Sequence, residues 1–319
     1  RHAAAGYDEV IHFQKLRTDM KKSLFPDGGV WLKGNIHSHS TVSDGMFSPR
    51  ELAELYRDHG YAFLAMTDHN VLVSHSELPE DQIILLTGLE HDLEYSPDKC
   101  IHVVGIAAAG KEETEYLCKR YSPAELKDQR LVDLMREDGQ FVSLAHPVWS
   151  RMGAEEILGL EGLHAVEVFN NGTEHLCHGG HGEIWWDMLL RQGKRVFATA
   201  VDDVHVAEDL FGGWIWVKAT RRSREAILDA LFQGNYYSST GPEIYDFGLD
   251  GEQVYVSCSE CREIHFVTYS PRGKSLFAEP DGVLKEACYT LTGRESYVRV
   301  VCVDHNGKSA WSNPIFFDE

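Results

Sequence analysis

Short apolar runs recur along the first 240 residues, and most give way to polar or turn residues before a helix-spaced stretch begins. Residues 1–29 predict a short helix around Asp8 to Lys22, broken by Pro26-Asp27-Gly28-Gly29. Val30 to His39 reads as the first strand. Ser48-Pro49 opens a helix, with Ser48 suited to capping and Pro49 to the first turn. Leu52, Ala53, Leu55 and Tyr56 give that helix one apolar face, and Gly60 ends it. Tyr61–Thr67, Ile83–Thr87, Ile101–Ala109, Phe141–Ala145, Ala165–Phe169 and Arg195–Val201 follow as strands; the first three are near-continuous apolar runs, as strands buried on both faces should be, with His102 at the start of the third. Helices are expected from Ser122-Pro123 to about Glu137, from Ile184 to Arg191 and from Ser223 to Phe232, closed by Gly139, Gly193 and Gly234. Such alternation argues for a parallel sheet with crossover connections.

The pattern changes after Ser239-Thr240-Gly241-Pro242. Gln253–Ser257, Ile264–Thr268 and the alternating Ser296–Asp304 read as short strands. Asp304-His305-Asn306-Gly307 is a turn, and Ser309–Phe317 returns as a partner with Pro314 at an edge or strand end. No helix is expected here. The division predicts an α/β unit over residues 1–240 and a small all-β sandwich over residues 241–319.

The strand ends carry the chemistry. His69, Glu90, His146 and Asp203 each follow directly on an apolar run. Functional residues of parallel α/β folds sit at those ends, and a barrel would gather them into one ring. Core packing gives no reason for them, because buried histidines and carboxylates are costly unless paired or metal-bound. In the first strand, His37 and His39 are two apart, which puts both imidazoles on one face. Asp44 follows in the next loop. With His102 and His205 the candidate set is His37, His39, Asp44, His69, Glu90, His102, His146, Asp203 and His205. Six histidines and three carboxylates exceed what one ion needs and suggest two or three divalent ions, with zinc, manganese or iron suiting imidazoles mixed with carboxylates. Of the neighbours Asp202 and Asp203, one faces inward, and Asp203 is taken as the ligand.

Composition narrows the partners. Net charge is −20, with 13 acidic and 7 basic residues in 241–319 and 37 and 23 in 1–240, so neither part offers the basic stripe of a general nucleic-acid binder. The 7 cysteines form no regular framework, which favours a reducing, cytoplasmic compartment; export after signal-peptide removal stays open. Cys258 and Cys261 make a lone C-x-x-C, read as strand residues because no second pair follows. No apolar run approaches the roughly 20 residues of a membrane span.

The motifs H-x-H-x-x-x-x-D-G, T-D-H-N at 67–70, G-L-E at 88–90, His102, A-H-P at 145–147 and D-x-H at 203–205 together resemble the PHP (polymerase and histidinol phosphatase) family, in the family's order over about residues 30–240. The resemblance implies a distorted seven-stranded (β/α) barrel and metal-dependent phosphoester hydrolysis. It implies one ion on His37, His39, Glu90 and Asp203, a second on Glu90, His102 and His146, and a third on Asp44, His69 and His205. Some members have histidine where Asp44 stands. Tyr-Tyr-Ser-Ser-Thr-Gly-Pro-Glu at 236–243 and Ala-Trp-Ser-Asn-Pro-Ile at 310–315 resemble a two-domain subgroup that also includes carboxyl-ester hydrolases such as carbaryl hydrolase.

The reading is therefore a metal-dependent hydrolase, foremost a phosphoesterase acting on a small phosphorylated substrate by attack of a metal-bound hydroxide. Glu90 would bridge two ions, His205 or His69 would protonate the leaving group, and Arg151, just after A-H-P, is the best cation for a phosphate. The alternatives are a carboxyl-ester or amide hydrolase on the same metals and a non-catalytic metal- or ligand-binding module. His175, His178 and His181, among glycines, read as a mobile loop and solvated lid. His91 reads as a supporting or surface residue, and Glu167 and Asn170 as residues that orient ligands or touch substrate.

Overall fold

The computed structural model describes residues 21–75, 77–108, 116–117 and 126–317. Most of the helix expected from Asp8 lies outside them. Lys22, expected at its end, instead starts a two-residue strand, Lys22–Ser23.

Seven strands build the part that carries the site: β1 Val30–Asn35, β2 Phe63–Met66, β3 Ile84–Ser96, β4 Lys99–Ile106, β5 Phe141–Leu144, β6 Ala165–Asn170 and β7 Phe197–Val201. They are hydrogen-bonded in the order β7-β6-β5-β4-β3-β2-β1. Pairing is parallel for β1 with β2, β2 with β3, β5 with β6 and β6 with β7. It is antiparallel for β3 with β4 and β4 with β5. That corrects the all-parallel expectation. Only Pro97 and Asp98 separate β3 from β4, and a link that short can form only a hairpin, since a parallel crossover takes a dozen residues or more. The two ends of the row approach each other past their last paired residues: Ser38 and Val204 form a parallel bridge, and the Asp203 amide donates to the His37 carbonyl at 2.9 Å.

Helices cover the outside. α1 is Pro49–Asp58, where Ser48 Oγ accepts from the Glu51 amide and Leu52, Ala53 and Tyr56 are buried. α2 is Asp128–Glu137; its expected start at Ser122 and Pro123 lies outside the described residues. α3 Ala154–Gly159 and α4 Asn171–Cys177 come next, then α5 Glu183–Arg191 and α6 Arg224–Gln233. No helix among the described residues is long and apolar enough to cross a membrane.

Two antiparallel strands continue the row beyond β1: β8 Trp214–Ala219, which alternates buried and half-buried residues, and β9 Tyr236–Ser239. The longer strands that follow are β10 Ile244–Asp250, β11 Gln253–Cys261, β12 Glu263–Thr268, β13 Lys274–Phe277, β14 Leu284–Thr290, β15 Tyr297–Val303 and β16 Ser309–Ser312. β16, β15, β12 and β13 extend the same hydrogen-bonded row from β9, while Lys22–Ser23, β10, β11 and β14 form a separate sheet. An apolar cluster that includes Phe247, Val256, Phe266 and Val300 draws on both. Pro314 stands between β16 and the short strand Ile315–Phe316, where it interrupts no ladder. The C-terminal strands are bound tightly to the rest. Asn313 accepts from the Ala198 amide and donates to the Gly234 and Tyr236 carbonyls. Arg299, fully buried, pairs with Glu183 and Asp187 of α5 at 2.7 Å and lies over the Trp186 ring.

Candidate metal centre

The chain turns sharply at the strand ends. Past β1, the Ser38 amide is held by Thr67 Oγ1, and its hydroxyl donates to the Ala65 carbonyl. His37 and His39, two apart, then point the same way, with their Nε2 atoms 3.2 Å apart. β1 itself stops at Asn35, so both histidines lie beyond the strand expected to hold them. Asp68 fixes the next loop by accepting from the amides and hydroxyls of Ser40 and Ser43. Asn70, His146 and Asp203 take positive φ, a conformation that costs energy in residues other than glycine and that clusters at functional sites.

Glu90 departs from expectation in its setting. It lies inside the 13-residue β3 rather than after a strand. The regular ladder with β2 ends at Thr87, and Glu90 stands past it, paired with β4 on one side and on the other with His69 through an isolated parallel bridge, where its carbonyl accepts from the Asn70 amide at 2.8 Å. Its Oε1 lies 3.1 Å from His102 Nδ1, 3.1 Å from His146 Nε2 and 3.4 Å from His37 Nε2. Oε2 lies 3.2 Å from His39 Nε2 and 3.3 Å from His69 Nδ1. Asp203 Oδ1 is 3.1 Å from Nε2 of both His37 and His39. Asp202, its neighbour, faces away and accepts from Tyr56 Oη and the amides of Phe211, Gly212 and Gly213. Burial pushes Asp202 up to about 6 against those donors.

At this centre, three groups of described side chains converge closely enough to hold an ion: His37, His39, Glu90 and Asp203; His69, Glu90 and His102; and His39, Asp44, His69 and His205. The first matches the ligand set implied by the resemblance. In the second, His69 stands where His146 was expected, while His146 remains against Glu90 Oε1 and 3.7 Å from Asp203 Oδ2. The third adds His39. Asp44 is half exposed and reaches His205 Nε2 at 3.5 Å and His69 Nε2 at 3.8 Å.

The donors fit a cation better than they fit each other. Asp203 Oδ1 and His69 Nδ1 are buried without a hydrogen-bond partner although polar atoms stand close by. Such groups are costly unless something satisfies them. Burial disfavours the charged form of His37, but Asp203, Glu90 and Glu167 outweigh it and hold the imidazole well above its usual range. His39 is likewise carried up to about 9 by Asp203 and Glu90 against burial. Glu90 and Asp203 are held well below the carboxylate range by the surrounding histidines, again against burial. Without ions, these carboxylates recruit protons onto the imidazoles, and a divalent cation would take their place.

Glu167 supports the centre. Oε1 lies 2.6 Å from His37 Nδ1, and Oε2 accepts from the His146 amide and from Asn170 Nδ2, which also donates to Asp203 Oδ2. A carboxylate on the far nitrogen of a ligating histidine fixes its tautomer and orientation. His91 is buried, with Nδ1 3.2 Å from Asn70 Oδ1.

The centre opens into two cavities. The first, about 530 Å³, has Trp149, Thr173, Leu176, Val206 and Asp209 on its outer walls. The second, about 830 Å³, runs past Asp92, Glu94, Lys99 and Arg151. Trp149 borders both and sets its ring edge-on to His102 and His146, at 5.5 and 4.9 Å between centroids. Sequence reasoning passed over Trp149, because one tryptophan among 7 carries no pattern. Arg151 is exposed and lines only the second cavity. The expected histidine loop is a helix in part: His175 lies on α4 and faces the first cavity, while His178 ends α4 in a left-handed turn. Its cap at Asn170, whose side chain accepts from the Thr173 amide, explains the helix. His181 follows in a bridge to Phe169.

No family model matches the chain. It is 54% identical over 39 residues to the DNA polymerase/3'-5' exonuclease PolX of Bacillus subtilis, covering 12% of this chain and 7% of that protein. It is 31% identical over 106 residues to a 5'-3' exoribonuclease of Haemophilus influenzae, covering 32% of this chain and 38% of that one. The chain thus matches well under two thirds of either relative's length. A solved two-domain protein from Bacteroides vulgatus, containing a predicted PHP-like metal-dependent phosphoesterase, superposes with a TM-score of 0.52 at 16% identity, over 92% of this chain and 98% of that one. At that identity the likeness is one of fold alone.

Proposed function

We propose that the chain is a PHP-type metal-dependent hydrolase, foremost a phosphoesterase acting on a small molecule, with its seven strands acting as a distorted barrel around the centre. The observation that carries this is the convergence of buried imidazoles on Glu90 and Asp203 with Asp203 Oδ1 left without a hydrogen-bond partner. His37, His39, Glu90 and Asp203 would hold one divalent ion, and Glu90 with His102 and His69 or His146 a second. Asp44, His69 and His205 would hold a third. Zinc, manganese and iron suit this donor mixture. Bound there, such ions supply Lewis acidity and a nucleophile at neutral pH.

The chain's own residues divide the rest of the work. Glu90 keeps the groups in register, and Glu167 orients His37. Where no third ion is bound, His205, partly exposed beside Asp44 at the mouth, can carry a proton to a departing oxygen; burial lowers its basicity, but Asp44 and Asp203 raise it overall. Arg151 would meet an anionic oxygen of a substrate in the second cavity. We further propose the division into units 1–240 and 241–319, supported by the end of the helices at Gln233 among the described residues.

One observation favours a second reading, a carboxyl-ester or amide hydrolase: no lysine or arginine stands among the described residues lining the first cavity. Metal analysis followed by a screen of phosphomonoesters, phosphodiesters, nucleotides, carboxyl esters and amides separates the two. Phosphate release that weakens strongly in Arg151→Ala supports the phosphoesterase. Turnover of carbon esters alone, unaffected by Arg151→Ala, selects the second reading, and protein that takes up no metal refutes both.

A further inference from the structure

The C-terminal strands bring together three thiols that the hydrolytic centre does not use. Cys258 and Cys261 lie on β11, and Cys302 lies on β15 of the other sheet. All three are buried and free, and their sulfurs lie within 4.8 Å of one another. The lone C-x-x-C lacked a further donor in sequence, and the fold supplies it from 41 residues further on.

The backbone is shaped to this end. In a regular strand, residues three apart face opposite sides. β11 alternates faithfully through Val254, Val256 and Cys258, and that alternation would turn Cys261 outward. Its register against β14 instead shifts between Ser257 and Cys261, and the irregularity returns Cys261 to the interior. Ile244, Ile264 and Ala310 are the ladder partners of Cys258 and Cys302 and belong to the same apolar cluster, so the thiols are packed among apolar side chains between two sheets.

We propose that Cys258, Cys261 and Cys302 form a structural site for a thiophilic closed-shell ion, Zn(II) or Cu(I), independent of the hydrolytic centre. At a metal–sulfur bond of about 2.3 Å, tetrahedral or trigonal sulfurs stand roughly 3.8–4.0 Å apart, so closure by about 1 Å suffices. Thiolate donors without an oxygen ligand reject magnesium, calcium and manganese. Each sulfur that binds gives its proton to solvent, and the ion offsets the thiolate charge that an apolar pocket would otherwise disfavour. Zn(II) leaves the smaller residual charge, whereas Cu(I) is content with three ligands. Enclosed on both sides, the ion would tie the two sheets together rather than meet substrate.

The test uses the full chain carrying His37→Ala, which weakens the hydrolytic centre, stripped of metal and kept reduced. Titration with Co(II) should give an intense sulfur-to-metal charge-transfer band. Zn(II), or Cu(I) supplied under reducing conditions, should bleach it at one equivalent; whichever competes at the lower concentration is the preferred ion. The band needs no cysteine variant, so it stands even where such a variant fails to fold. In the otherwise native chain, Cys302→Ala should bind one equivalent less of that ion while manganese-supported hydrolysis is unchanged. Absence of the charge-transfer band, equal uptake by Cys302→Ala and the native chain, or a disulfide between two of the three on reconstitution would each overturn the site.

Discussion

Replacing Glu90 by glutamine tests the centre where it is most tightly coupled. The side chain is 1% exposed and faces five imidazoles within 3.4 Å, three on Oε1 and two on Oε2. Glutamine keeps the volume and one oxygen, but its NH2 must face imidazoles on one side. Two of the convergent groups contain Glu90, so both lose an anionic donor at once. An ion held less firmly leaves the reacting atoms misplaced, and about 1 Å of misplacement costs roughly a hundredfold. We expect kcat to fall by at least about a hundredfold under saturating metal, with circular dichroism unchanged. Metal content after dialysis should drop as well. Ligand-linked stabilisation, about 2.7 kcal/mol at a hundred times Kd, should raise the melting temperature of the native protein on adding metal and raise that of Glu90→Gln much less. Native turnover together with native metal content in folded Glu90→Gln would show that the reaction lies elsewhere.

Three further outcomes follow from the same geometry. His39 is raised to about 9 in the metal-free protein, so its contribution to stability is fully present below about pH 6.5 and is lost as pH rises through 9; melting of metal-free protein across that window should show the loss, and metal uptake near neutral pH should release protons, read by calorimetry in buffers of different ionisation heat. Glu167→Gln should weaken metal affinity by about 10–100-fold through the His37 Nδ1 contact, measured by competition with a chelating dye, while a purely structural role would lower stability and leave affinity alone. Asp187→Ala removes one partner of the fully buried Arg299 and should cost about 3 kcal/mol in denaturant unfolding, whereas a loss under about 0.5 kcal/mol would mean that Glu183 alone suffices.

The elements that showed in the sequence are those whose signal is local. α1 follows from Ser48, Pro49 and the buried stripe through Tyr56, all within one short stretch. β2, β5 and β7 are buried throughout and mostly apolar because both faces are covered, with Ser143 and Thr199 the polar exceptions. What stayed hidden depends on pairing. β3 and β4 read as separate parallel strands because a run of apolar residues looks the same in either direction, and only the two-residue turn at Pro97-Asp98 sets the hairpin. β8 carries alternation in Trp214–Ala219, but its half-buried lysine and tryptophans conceal it. β13 and β14 are largely exposed on one or both faces and so lack an apolar signature. The continuation of the β1–β7 row through β9 into β16 rests on backbone hydrogen bonds, which leave no trace in side-chain pattern.

Within the site, residue types were legible and their grouping was not. Burying a histidine or carboxylate at the end of an apolar run is unfavourable enough that its presence there points to a ligand or a partner. That argument finds His69, Glu90, His146 and Asp203 one at a time. It cannot say which imidazole turns to which carboxylate, because the turning depends on backbone dihedrals at Asn70, His146 and Asp203 that only the closed fold imposes. Hence His69 stands closer to Glu90 and His102 than the motif order implies, and His39 faces two groups rather than one. The same limit explains the thiols. A cysteine is an ordinary core residue by composition, so Cys302 drew no notice until the second sheet laid it against Cys258 and Cys261. A donor set assembled across sheets can be recognised only after the sheets are placed, whereas a donor set at strand ends announces itself by the cost of being there.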